Sequence, residues 1–172
     1  MLTNKCWEEE FAQNNENITE HELTFNIDDF NRCINMEIYD MHDCLTLSNR
    51  GIEISAKQFD AILKEYPLGR VGYEVYNNEF RVIDFVSQNL SIRAQWQFGR
   101  MYVQYLNSRL TLIKDRKIYY ILSINDDILT IRFHQEWEEE IHYFSNIDIN
   151  DRSEPIAIIT SSELPINFLR LN

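Results

Sequence analysis

The side chains best suited to acid–base or metal chemistry in this 172-residue sequence are four histidines. They are His21, His42, His134 and His142. None of them lies in an HExxH pattern, which places two histidines on one face of a helix to bind zinc. His134 and Glu138 stand one helical turn apart, but a lone pair in so acidic a segment is typical of a solvated helix surface. We therefore expect no metal site.

Loops that hold phosphates or activate a nucleophile need glycines, and the sequence has only Gly51, Gly69, Gly72 and Gly99. The GxGxxG, P-loop and GxSxG patterns are all missing from it. Carboxylates are plentiful, with 28 Asp and Glu residues, but abundance alone does not single out an acid–base pair. We expect a protein that binds a partner, is not an enzyme and uses no cofactor.

The three cysteines, Cys6, Cys33 and Cys44, are an odd number without CxxC spacing, which is typical of free thiols in a reducing compartment. The segment from Met1 to Glu10 is polar and acidic, and no apolar run reaches the roughly 20 residues of a membrane helix. We expect an intracellular protein that is neither secreted nor inserted into a membrane. It would be nuclear if its source is eukaryotic or viral, and cytoplasmic otherwise.

Composition bounds the domain organisation, because 44% hydrophobic and 13% aromatic residues suffice for a packed core. Residues 1–22 read as an acidic N-terminal arm whose large apolar side chains are Trp7 and Phe11. Residues 23–172 read as one compact β-rich unit. The alternative is two fused halves, 23–70 and 71–150, followed by a C-terminal tail, 151–172.

Period-two alternation of apolar residues predicts antiparallel strands over 23–27 and 34–39, on either side of the turn-forming Asp28-Asp29. Leu45 and Leu47 continue the pattern into a further strand. The sequence from Ser55 to Gln58 then fits a capping box and predicts a helix over 55–66. The apolar stripe of this helix follows a helical spacing and comprises Phe59, Ile62, Leu63 and Tyr66.

The run from Gly51 to Ile62, preceded by the two predicted strands, resembles the C-terminal domain of the transcriptional coactivator positive cofactor four. In that family a curved antiparallel sheet leads through a glycine turn into one helix, and Phe59 takes the place of the aromatic that opens the buried helix face. The resemblance covers about residues 23–66. It implies a dimeric module that grips single-stranded DNA in transcription or replication, although Asp and Glu stand on the strands where the family offers Lys and Arg.

The second half repeats the order of strand, turn, strand and helix. Alternation predicts strands over 118–124 and 129–133 around Asn125-Asp126-Asp127. Trp137, Ile141 and Phe144 fit a helix. We therefore predict an α+β fold of antiparallel β-meander sheets, each followed by a short helix. An internal duplication relating about 114–144 to 29–66 is a hypothesis, and unrelated meanders are the alternative. A fused pair of halves could replace the dimer, yet the family habit favours a homodimer.

Between the halves, residues 73–112 are predicted to form further strands, with Trp96 and Phe98 in the core and Tyr102 exposed. The net charge is −12, but residues 90–122 carry six cations against Asp115 alone. Cations that track phosphate, with an aromatic that stacks on bases, predict a site for single-stranded DNA or RNA. The candidate residues are Arg93, Arg100, Tyr102, Arg109, Lys114, Arg116 and Lys117.

Two functions follow from the same charges. The basic segment and the coactivator resemblance favour a single-stranded nucleic-acid-binding protein. The overall charge favours an acidic interaction protein, such as an inhibitor, an immunity-type protein or a nucleic-acid mimic, that binds a basic protein partner. A third interpretation of the cations is that they balance neighbouring carboxylates and protect strand edges.

Overall fold

A computed structural model describes residues 1–13, 26–47, 54–86, 90–143, 148, 151 and 153–164. The strands are β1 (Leu2–Thr3), β2 (Tyr39–Met41), β3 (Cys44–Thr46), β4 (Phe80–Arg81), β5 (Ile118–Asn125), β6 (Ile128–Gln135) and β7 (Ile156–Thr160). The helices are α1 (Lys5–Gln13), α2 (Ile27–Ile34), α3 (Ala56–Leu63), α4 (Gly69–Asn77) and α5 (Ile92–Ile113). Short 3₁₀ turns cover Val82–Asp84 and Ser161–Glu163. The predicted α+β class with antiparallel sheets is confirmed.

Among the described residues, five strands form an antiparallel sheet in the order β1-β7-β5-β6-β4, and β2 pairs with β3 in a separate hairpin. Two-residue loops close the hairpins β2–β3 and β5–β6. All four loop residues have positive φ, at 49° and 72° for His42 and Asp43 and at 49° and 59° for Asp126 and Asp127. This geometry matches the twist of paired strands. The predicted strands around Asn125-Asp126-Asp127 are therefore confirmed.

The two faces of the larger sheet have different partners. On one face, Tyr120 and Leu122 of β5 and Phe133 of β6 join the main core, which α5 covers together with α1 and α2. On the other face, Ile121 packs against Val71 and Val75 of α4. The sheet is thus enclosed by α5 on one side and partly by α4 on the other.

Helix α5 corrects the prediction of strands over 73–112. Ser91 caps its start by accepting a hydrogen bond from Ala94 N at 3.3 Å. The apparent alternation of the sequence has a physical cause, since α5 is buried on more than one side. Phe98 packs edge-on against Phe30 of α2, while a Cβ on Gly99 would come within 2.8 Å of Leu129 in the sheet. Apolar residues on several sides of a helix obscure its 3.6-residue period.

Helix α2 corrects the strands predicted around Asp28-Asp29. The Asn26 side chain accepts a hydrogen bond from Asp28 N at 2.9 Å and caps the helix. Asp28 and Asp29 then lie in the first helical turn, where carboxylates interact favourably with the helix dipole. Ile34 is the last helical residue, and the strand begins only at Tyr39. Leu23 and Phe25 of the first predicted strand lie outside the described residues.

The predicted duplication is wrong for the described residues. Residues 29–66 comprise most of α2, the β2–β3 hairpin and α3, whereas residues 114–143 comprise the longer β5–β6 hairpin and an irregular segment. Trp137 and Ile141 lie in that segment and not in the predicted helix, and Phe144 lies outside the described residues.

The helix predicted over 55–66 is confirmed as α3, with the capping box in place. Gln58 N donates to Ser55 Oγ, and Gln58 Oε1 accepts from Ser55 N at 2.9 Å. Phe59 is 1% exposed and packs edge-on against Tyr73 of α4. Of the elements that suggested positive cofactor four, this helix is present, and the strand predicted over 34–39 is not.

Within the described ranges, no helix combines the length and apolar character that a membrane crossing requires.

Candidate protein-binding surface

The predicted nucleic-acid residues do not share one sheet face. Arg93, Arg100, Tyr102 and Arg109 all lie on α5, and the prediction that Tyr102 is exposed on a strand is wrong. Tyr102 is 0% exposed, because its ring stacks on Phe80 with a centroid distance of 4.1 Å. Burial raises the pKa of Tyr102 above its usual range. A base could not stack on this ring without unfolding the core.

Most cations of the basic segment are engaged within the chain. Arg100 is 4% exposed, lies 5.5 Å from the Trp96 ring, and burial lowers its pKa. Arg109 donates to the carbonyl oxygen of Met36 at 2.8 Å and so fixes the link that follows α2. Arg93 is partly buried on the same helix.

Three further cations follow α5 and are also engaged. Lys114 Nζ contacts Asp40 Oδ2 at 2.8 Å and Asp43 Oδ1 at 2.6 Å, and the hydrogen bond and charge of Lys114 lower the pKa of Asp43. The Arg116 guanidinium lies 4.2 Å from the Trp137 ring. Lys117 Nζ lies 4.8 Å from the Tyr119 ring. The structure therefore favours the interpretation in which Lys114 balances neighbouring carboxylates, and it places Arg116 and Lys117 against aromatic rings.

Glu74 of α4 connects three elements that lie around it. The side chain is 0% exposed, and its Oε1 accepts hydrogen bonds from Leu45 N at 2.8 Å and from Gln135 Nε2 at 2.6 Å. Its Oε2 accepts from Gln135 N at 2.8 Å and from Trp137 Nε1 at 3.1 Å. Burial raises the pKa of Glu74, while these hydrogen bonds to the carboxylate oppose the rise. The carboxylate ties α4 to β3, to the end of β6 and to the segment after it.

Asn78 extends this connection at the end of α4. Its Oδ1 accepts a hydrogen bond from Leu47 N at 2.8 Å, and its Nδ2 donates to the carbonyl oxygens of Leu45 at 2.8 Å and Phe133 at 3.2 Å. Side chains of α4 thus satisfy backbone groups of both β3 and β6. The small hairpin and the large sheet are joined through α4, which fixes the position of this helix.

The segment 136–143 is held along α4 by polar contacts. Glu140 Oε2 accepts a hydrogen bond from Val71 N, at 2.8 Å, in the first turn of the helix. The Tyr143 ring packs with Val71 and Val75, whereas Tyr66 packs with Tyr73 on the opposite side of α4. Tyr66 and Tyr143 therefore flank the exposed side of α4.

Further exposed apolar side chains lie on α4, just before it in the chain and on the segment 136–143. Tyr76 of α4 is 57% exposed, and its ring centroid lies 5.9 Å from that of Tyr66. Leu68, which precedes α4, is 39% exposed, and Ile141 is 62% exposed. We call Tyr66, Leu68, Tyr76, Ile141 and Tyr143 the tyrosine surface. Tyrosines are enriched at protein interfaces because the ring offers apolar contact and the hydroxyl a hydrogen bond.

Several carboxylates are close in sequence to the residues of the tyrosine surface. Glu65, Glu138 and Glu139 are exposed, and Lys64 is an exposed cation beside Glu65. Arg70 of α4 and Arg116 are both turned toward the Trp137 ring. Arg70 donates to the carbonyl oxygen of His42 at 2.6 Å and, like Arg116, lies over the Trp137 ring, at 4.8 Å. Arg132, whose charge also acts on Tyr143, pairs with Glu79. The exposed charges named here are therefore three carboxylates and one cation, Lys64.

The sequence contains local signals for helix α4, although strands are predicted from residue 73 onward. Val71 and Val75 are four residues apart and Tyr73 and Tyr76 are three apart, which is helical spacing. Pro67 before Gly69 separates this helix from α3. The distant partners of Glu74 and Asn78 have no such signal, because they are 29 to 63 residues away in sequence.

The fold and the surface define a class: an α+β protein whose antiparallel sheet carries helices on both faces and presents an acidic surface rich in tyrosine. The chain belongs to the family described as "Uncharacterized protein PM0498 family", which matches residues 2–169. No curated protein and no solved structure matches the chain. The family match extends from β1 past β7 and includes the whole tyrosine surface.

Proposed function

We propose that the protein is an acidic interaction protein that binds a basic protein partner through the tyrosine surface. The observation that carries this proposal is the exposure of Tyr76 beside the Tyr66 ring, with the exposed carboxylates Glu65, Glu138 and Glu139 close to the surface residues in the sequence. Apolar rings at the centre and charges at the rim are the usual organisation of a protein interface.

The net charge of the chain indicates a partner of opposite charge. The chain carries a net charge of −12, and its densest group of cations is largely engaged by internal carboxylates and rings. A basic partner would approach along a favourable field, and the acidic rim would repel acidic competitors. The inhibitor, immunity-type and nucleic-acid-mimic alternatives all share this chemistry.

The rigidity of α4 also favours binding. Glu74 and Asn78 fix the helix to both sheets through hydrogen bonds that are buried. A ring presented from a fixed helix binds at a lower entropic cost than a ring on a mobile segment, because the backbone that carries it is already ordered.

The test is a comparative capture of proteins from a lysate of the source organism. The baits are the wild type, Tyr76→Ala and the double variant Glu138→Lys with Glu139→Lys. The matched control reverses two other exposed carboxylates, Asp84→Lys with Asp115→Lys, which lie outside the tyrosine surface.

We expect a basic protein to bind the wild type and the control but neither surface variant. High salt should release it from the wild type as well. Equal capture by all four baits would contradict the proposal. A labelled single-stranded 20-mer, titrated against the wild type at low salt, tests the nucleic-acid prediction, and tight binding there would favour that function instead.

A further inference from the structure

The outer face of the larger sheet carries an open groove next to the tyrosine surface. Its volume is about 440 Å³, and Tyr119, Ile158 and Thr160 of neighbouring strands lie along it. His142 and Tyr143 line it too. Because Tyr143 also packs with the valines of α4, the groove is continuous with the tyrosine surface.

The groove already holds a cation of the chain itself. Lys117 Nζ lies 4.8 Å from the centroid of the Tyr119 ring. The Tyr119 side chain and the charges of Glu136 and Glu163 raise the pKa of Lys117, which its limited burial opposes. The side chain is long, flexible and only partly covered, so it can leave the ring at little cost.

Two carboxylates lie close to the Tyr119 end of the groove. Glu136 Oε1 accepts a hydrogen bond from Tyr119 OH at 2.9 Å and lies 3.8 Å from His142 Nε2. Glu163 lines the groove, accepts from Thr160 N at 2.8 Å and pairs with the amino group of Met1. Because the Met1 amino group already pairs with Glu163, Glu136 is the carboxylate that favours a cation at the Tyr119 ring and repels a phosphate or carboxylate.

We propose that this groove binds a cationic side chain of the partner, and that Lys117 occupies the same place over Tyr119 in the free protein. Arginine fits best, because a guanidinium is planar, weakly hydrated and stacks on aromatic rings better than an ammonium does. The inference rests on the proposed function for its partner, since a basic protein supplies such side chains. The groove would then be the specificity pocket beside the tyrosine surface.

The experiment measures binding of N-acetyl-arginine amide to the full chain by NMR, following the Tyr119 and His142 signals. Lys117→Met removes the internal cation and keeps the apolar stem. We expect this variant to bind the probe about tenfold more tightly than the wild type. Lys114→Met is the matched control, because Lys114 binds Asp40 and Asp43 instead, and its probe affinity should equal that of the wild type.

Adding Tyr119→Leu to Lys117→Met should abolish probe binding, with the unfolding midpoint of each variant confirming that it folds. The inference is overturned if Lys117→Met binds the probe no more tightly than the wild type. It is equally overturned if inorganic phosphate or N-acetyl-glutamate amide shifts the same signals in place of the arginine probe. Tyr76→Ala should leave probe binding unchanged. The partner-binding proposal and the groove proposal can therefore be refuted independently of each other.

Discussion

Replacing Glu74 with glutamine tests how α4 is held in place. Glutamine has the shape of glutamate, but one of its two terminal atoms is an amide nitrogen that donates and cannot accept. Each Glu74 oxygen accepts two hydrogen bonds, from Leu45 N and Gln135 Nε2 at Oε1 and from Gln135 N and Trp137 Nε1 at Oε2. In either orientation, the amide nitrogen of glutamine faces two hydrogen-bond donors, which then have no acceptor.

The expected cost follows from these contacts. A hydrogen bond to a charged group contributes about 1.5–3 kcal/mol, so the loss of two costs about 3–6 kcal/mol. Burial raises the pKa of Glu74, which means that the ionised form carries a desolvation cost that glutamine avoids. This offsets part of the loss. We expect Glu74→Gln to lower the free energy of unfolding by about 2–4 kcal/mol.

Urea unfolding followed by tryptophan fluorescence measures this difference. The matched control is Glu79→Gln, because the Glu79 side chain is 45% exposed and pairs with Arg132 near the surface. The control should change the free energy of unfolding by less than about 1 kcal/mol. A value for Glu74→Gln within about 0.5 kcal/mol of the wild type would refute the assigned role of the carboxylate.

Three further predictions concern the fold. Phe59→Ala should cost about 3–5 kcal/mol in urea unfolding, because the ring is 1% exposed, and a cost below about 1 kcal/mol would contradict its place in the core. Gly99→Ala should destabilise by about 1–3 kcal/mol despite the higher helix propensity of alanine, since its Cβ would meet Leu129 at 2.8 Å; a gain in stability would contradict the close packing of α5 on the sheet. Burial lowers the pKa of His134 from 6.5 to about 4, so the unfolded chain binds an extra proton between these values and stability is lost as the pH falls through them. Between pH 7 and pH 4 the wild type should lose about 3 kcal/mol more than His134→Phe, and parallel pH profiles would contradict this.

Elements specified by local chemistry were predictable from the sequence. The capping box from Ser55 to Gln58 satisfies backbone groups within four residues, so its signal is complete in the local sequence. Asp126 and Asp127 adopt the positive φ of a two-residue hairpin loop, and the alternating strands beside them follow from the same local rule.

Elements that depend on tertiary partners were not predictable in the same way. Tyr102 is buried because Phe80 lies against it from another part of the chain, and no local pattern distinguishes this ring from an exposed one. In the sequence, nothing distinguishes Lys114 and Arg109 from free cations. In the fold, Lys114 pairs with Asp43 and Arg109 bonds the segment that follows α2. For this reason the basic segment is engaged within the chain, and the candidate site lies on the acidic surface of α4 instead.

The affinity of the captured basic partner for the wild type and for Tyr76→Ala, measured by calorimetry across a salt series, tests the central claim most directly. We predict that Tyr76→Ala weakens binding by about 2 kcal/mol or more at every salt concentration, because the lost contact is apolar. Glu138→Lys with Glu139→Lys should instead weaken binding mainly at low salt, since screening removes the contribution of rim charges. Affinities that are the same for all three proteins would contradict the claim that the tyrosine surface is the binding site.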